Sequence, residues 1–112
     1  MPDVIWVSLT LEETMAVIDE GVLSGTITGQ LLDSYVLQAG EGRCVVSVYQ
    51  QFYSRAGGKL TLTVTADDFE GTTRVHAVSG GGESPLTSFN WGATEVYENR
   101  VMNALLEYQV RR

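Results

Sequence analysis

His76 is the one histidine and Cys44 the one cysteine of the chain, so acid–base or thiol chemistry near neutral pH would centre on one of them. Period-two alternation sets Cys44 with Val46, Val48 and Phe52 on an aliphatic strand face, and His76 on a polar one. A sheet would then lie between thiol and base. Ser47 and Ser79 supply hydroxyls, but neither sits in a Gly-x-Ser-x-Gly elbow, and no acidic residue is spaced to orient the imidazole. His76 therefore reads as a surface histidine donating to a neighbouring threonine or tyrosine. No catalytic residue is assigned, and the balance leans away from an enzyme.

Metal and cofactor chemistry fare no better. One His and one Cys cannot complete a zinc site without several carboxylates. Asp67-Asp68-Phe69-Glu70-Gly71 gathers three acids, yet lacks the ligand spacing of a twelve-residue calcium loop and matches ordinary turn chemistry. Gly80-Gly81-Gly82 resembles a phosphate cradle only superficially, because Pro85 stands where a dinucleotide fingerprint needs a small residue and no Gly-Lys-Ser or Gly-Lys-Thr follows. No metal ligand and no cofactor is assigned.

The remaining chemistry is aromatic. Trp6, Phe89 and Trp91 are bulky and lie outside the sheet's aliphatic stripe. They either pin a loop onto the core or line an apolar cleft between helices and sheet, with Tyr97 or Tyr108 offering a polar contact and the glycine triplet hinging a lid.

The elements that position these residues follow from periodicity. Asp3 to Leu9 reads as a strand. Thr10-Leu11-Glu12-Glu13 is a capping box, and Leu11, Met15, Ile18 and Val22 follow at helical spacing, with Gly25 as the stop. From about Ile27 to Val78 the period is two, broken by turns at Ala39-Gly40-Glu41-Gly42, Ser54-Arg55-Ala56-Gly57-Gly58 and Asp67-Asp68-Phe69-Glu70-Gly71. Four strands in a meander result. Leu60 to Ala66 alternates aliphatic residues with Thr61, Thr63 and Thr65, so one face is buried and one is not. A final helix spans Ala93 to Tyr108 on a stripe of Tyr97, Val101, Ala104, Leu105 and Tyr108. The expected fold is α+β: a two-layer sandwich, an antiparallel sheet of four to five strands with both helices on one face, in the order β-α-β-β-β-β-α, as a single domain over residues 1–112.

Pairing Phe52 with Leu60 and Val64 with Val75 would align Tyr49, Thr63 and His76 across the outer face, flanked by Tyr53, Thr61 and Thr65. These six residues form the candidate interface. The first hairpin is ambiguous: Leu31, Tyr35 and Leu37 compete with Leu32 and Val36 for the buried face. A one-residue slip reverses the answer and makes the outer face more apolar.

Fourteen acidic and seven basic residues leave a net charge of −7. That balance excludes nucleic acid as a partner, since phosphates demand clustered Lys and Arg, and no apolar run of about 20 residues spans a bilayer. The first residues lack a signal peptide's basic start and cleavage site, so a cytoplasmic protein is expected.

Glu70-Gly71-Thr72-Thr73-Arg74-Val75-His76, Ser79-Gly80-Gly81-Gly82 and Phe89-Asn90-Trp91-Gly92-Ala93 together resemble a small family of uncharacterised bacterial cytosolic proteins of about this length. The likeness covers nearly the whole chain and implies no established activity. The expectation is therefore a domain of unknown function that self-associates, a dimer first, or docks a protein partner. The alternative is a carrier holding a small molecule between sheet and helices.

Overall fold

The computed structural model describes residues 3–81 and 92–111. Its strands are β1 (Asp3–Val7), β2 (Gln30–Ala39), β3 (Gly42–Tyr53), β4 (Gly58–Asp67), β5 (Thr73–Gly81) and β6 (Gln109–Val110), and its helices are α1 (Leu11–Leu23) and α2 (Ala93–Leu105). The fold is α+β, and the sheet is an open antiparallel one in the order β2-β3-β4-β5-β1-β6.

Helix α1 starts where the capping box requires. The Thr10 hydroxyl accepts from the Glu13 amide at 3.1 Å, and the Glu13 carboxylate accepts from the Thr10 amide at 3.0 Å. Leu11, Thr14, Ile18 and Val22 are its buried stripe, and Gly25, at φ +73°, turns the chain away just past the Ser24 cap. Helix α2 begins after Gly92 at φ +78° and buries Ala93, Tyr97, Val101 and Leu105. Both stripes join the inward side chains Ile5, Val7, Tyr49, Leu60, Leu62, Val64, Val75 and Ala77 in one core cluster. The helices meet at Gly21, where a Cβ would lie 2.6 Å from the Ala104 Cβ. Arg100 clamps the crossing by donating to the Gly21 and Ser24 carbonyls at 3.2 and 2.7 Å, which satisfies two acceptors at the end of α1.

Among the described residues the expected four to five strands are six. β6 pairs with β1 through Trp6↔Val110 and Val7↔Gln109. Two residues are too few to display an alternation, and a 3-10 turn at Leu106–Tyr108 ends the helical stripe earlier than its periodicity suggested.

The second correction concerns register. Gln51 rather than Phe52 faces Leu60, and Tyr49 faces Leu62. The odd-numbered residues of β3 therefore point at the helices: Ser47 and Tyr49 are buried, and Val45 and Tyr53 pack against the core. Cys44, Val46, Val48 and Phe52 point to the other side. β3 carries apolar mass on both parities, and the tyrosines are amphipathic: the Tyr49 ring fills the core while its hydroxyl donates to Asp19 Oδ1 at 2.5 Å. Reading tyrosine as a solvent residue inverts the strand. Between β4 and β5, Thr65 rather than Thr63 faces His76, and Val64 faces Ala77 rather than Val75, a slip of two that preserves each residue's face.

Candidate interaction surface

The two ends of the sheet differ. β6 is a two-residue edge, whereas β2 is a ten-residue edge in which every residue is exposed. Among the described residues β2 pairs with β3 alone, and the helix residues of the core reach no further across the sheet than β3. Its apolar residues are consequently in water on both faces: Tyr35 (48%), Val36 (59%) and Leu37 (53%) at its centre, with Leu31 and Leu32 near its start. The ladder slips between Leu31 and Asp33, then runs without interruption from Asp33↔Val48 to Ala39↔Gly42. On the helix side Val36 stands opposite Val45, and Ser34 Oγ lies 2.9 Å from Ser47 Oγ. On the outer side Tyr35 stands opposite Val46 and Leu37 opposite Cys44. Sheet edges of this length are normally blunted by lysine, proline or charge; β2 has neither Lys nor Pro, and its one charge is Asp33.

The outer face continues from this edge across the sheet. Tyr35, Val46, Thr65, His76 and Val4 form one cross-strand row, and Leu37, Cys44, Asp67, Arg74 and Trp6 the next. Val4, Phe52 and Val78 are further large apolar residues exposed on it. A shallow groove of about 450 Å³ runs along Val4, Trp6, Thr65, Asp67, Arg74 and His76. Its charges are already matched. Arg74 donates through Nε and Nη2 to both Asp67 carboxylate oxygens at 3.1 and 3.3 Å, which holds the guanidinium above its ordinary pKa. Burial, then the nearby Asp67 charge, pushes the Cys44 thiol up, so the thiolate nucleophile is disfavoured.

A second depression, about 580 Å³, lies at the start of α1 beside Thr10, Glu12, Arg43, Asp68 and Thr73. Glu12 forms an ion pair with Arg43, and its carboxyl is held low first by its own helix-start amide and then by that guanidinium. Asp68 accepts the Arg43 amide at 2.7 Å, and Thr73 donates to the Leu9 carbonyl at 2.7 Å. These contacts tie the sheet to the helix rather than present groups to a substrate.

Of the six candidate interface residues, Thr61, Thr63, Thr65 and His76 lie on the outer face, while Tyr49 and Tyr53 face the helices. Of the candidate cleft residues, the three that are described, Trp6, Tyr97 and Tyr108, are not brought together. Trp6 lies on the outer face, where its indole donates to Glu70 at 3.3 Å. Tyr97 is fully buried against Tyr53, ring centroids 5.2 Å apart, and Tyr108 lies beside Ala16 and Val17 of α1. Phe89, Trp91 and the Gly82-to-Pro85 stretch fall outside the described residues. Tyr35, Val36, Leu37, Val4, Val46, Val48 and Val78 were missed as surface residues. No local signal marks them: apolar residues on both parities of β2 read as a strand covered on both faces, and its exposure follows from how far the helices reach.

Among the described residues no group of three His, Cys, Asp or Glu side chains is placed to hold a metal ion, and no helix is long and apolar enough to cross a membrane. A family model described as a family of unknown function matches residues 6–109. No curated protein and no solved structure matches the chain.

Proposed function

We propose that this chain, which belongs to the DUF6054 family of unknown function, is a non-enzymatic self-associating module that joins a second copy of itself through the β2–β3 end of its sheet. The observation that carries the reading is β2, an apolar edge strand exposed at all ten positions. An unguarded edge of that length is a template for pairing, and leaving Tyr35, Val36 and Leu37 about half exposed forgoes roughly half of the 1.5–3 kcal/mol that full burial of a large apolar side chain contributes. The neighbouring outer face extends the same surface.

Sedimentation velocity over a wide range of protein concentration tests this. The expected result is a dimer that dissociates on dilution, with the variant carrying both Tyr35→Lys and Leu37→Lys remaining monomeric and folded. A wild-type chain that sediments as a monomer throughout the range overturns the reading.

A further inference from the structure

We infer that the second copy binds by extending the sheet, with β2 pairing antiparallel to its counterpart about a two-fold axis through Val36. The inference rests on the self-association reading and specifies its geometry. The uninterrupted part of β2 begins after the slip at Leu31/Asp33 and ends at the turn after Ala39. Those seven residues, Asp33 to Ala39, have Val36 at their midpoint.

A two-fold axis normal to an antiparallel sheet places some residue opposite itself and keeps each side chain on its own face. Centring on Val36 matches polarity at nearly every step. On the helix side Val36 meets Val36, and Ser34 meets Gln38. On the outer side Tyr35 meets Leu37 and Leu37 meets Tyr35, an aromatic–aliphatic pair repeated by symmetry. Asp33 falls opposite Ala39, which sets the two aspartates six residues, roughly 20 Å, apart. Centring one residue earlier, on Tyr35, would put Asp33 against Leu37 and Ser34 against Val36. Each then sets a polar side chain against an apolar one, and an ionised carboxylate would be covered by leucine. Centring one residue later, on Leu37, would put Val36 against Gln38, so of these three registers the one on Val36 is self-complementary, and that self-complementarity is what selects a second copy of this chain over an unrelated extended peptide.

Single cysteines test the register in the full chain. In a Cys44→Ser background, which removes the one native thiol, Val36→Cys places two thiols directly opposite, with Cα separations of about 4.5–5.5 Å that a disulfide can bridge. Mild oxidation is expected to convert most of this variant to a covalent dimer, while Asp33→Cys stays uncrosslinked. The variant carrying both Tyr35→Cys and Leu37→Cys is expected to crosslink as well, which keeps the test independent of Val36. If the background protein sediments as a dimer but Val36→Cys fails to crosslink, or Asp33→Cys crosslinks equally well, the register is overturned and self-association stands. If the background protein is monomeric at every concentration, both fall.

Discussion

Tyr49 places its ring in the core and its hydroxyl on Asp19, and burial, with that carboxylate second, raises its phenol above the ordinary range. Burial likewise raises Tyr53 and Tyr97. A native pKa raised above the unfolded value of about 10 means that the folded chain keeps protons the unfolded chain gives up. The stability these three tyrosines confer is complete below about pH 10 and lost as the pH climbs beyond it. Alkaline titration followed by phenolate absorbance should show them ionising together with loss of the native circular dichroism, and not before it. Gly21 makes an equally local prediction. Gly21→Ala gains about 1 kcal/mol of helix propensity, but its methyl would sit 2.6 Å from the Ala104 Cβ. Overpacking of that kind costs about 1–3 kcal/mol, so urea denaturation should show a net loss. Adding Ala104→Gly should recover most of it, as a coupled pair requires.

The elements were legible in proportion to how local their signals are. The start of α1 is written in Thr10 and Glu13 and its end in Gly25, all within a turn of the residues they control. β4 declares its buried face because Leu60, Leu62 and Val64 alternate with threonines. β3 does not, because Val46 and Val48 compete with Tyr49, and the choice is made by Asp19, thirty positions away in sequence and reached only through the tertiary fold. β6 needed β1 beside it to exist at all. The candidate surface followed the same rule. Thr61, Thr63, Thr65 and His76 were placed by their own strands' alternation, whereas the exposure of Tyr35, Val36 and Leu37 depends on how far across the sheet two 13-residue helices reach.

At the scale of the molecule, a net charge of −7 makes two copies repel, and the pairing segment contributes one acid to that field. Screening shortens the reach of such repulsion to about 10 Å at 0.1 M ionic strength, so added sodium chloride should tighten the proposed dimer. Sedimentation equilibrium at low and high salt measures this, and weakening with salt would indicate that ion pairs rather than apolar contacts hold the copies together. The molecule is elongated, 46 Å against 26 and 25 Å, and its helices cover the sheet as far as β3, leaving the β2 strand exposed along its whole length.

On the proposed pairing, the opposite end of the sheet would set the stoichiometry. β6 offers two residues, Gln109 and Val110, where β2 offers ten. Two chains joined at β2 would present, at each far edge, the two residues of β6 and the three positions of β1, Asp3 to Ile5, that β6 does not pair among the described residues, a short and stepped ladder. The proposed edge pairing would therefore terminate at two instead of propagating into a fibre.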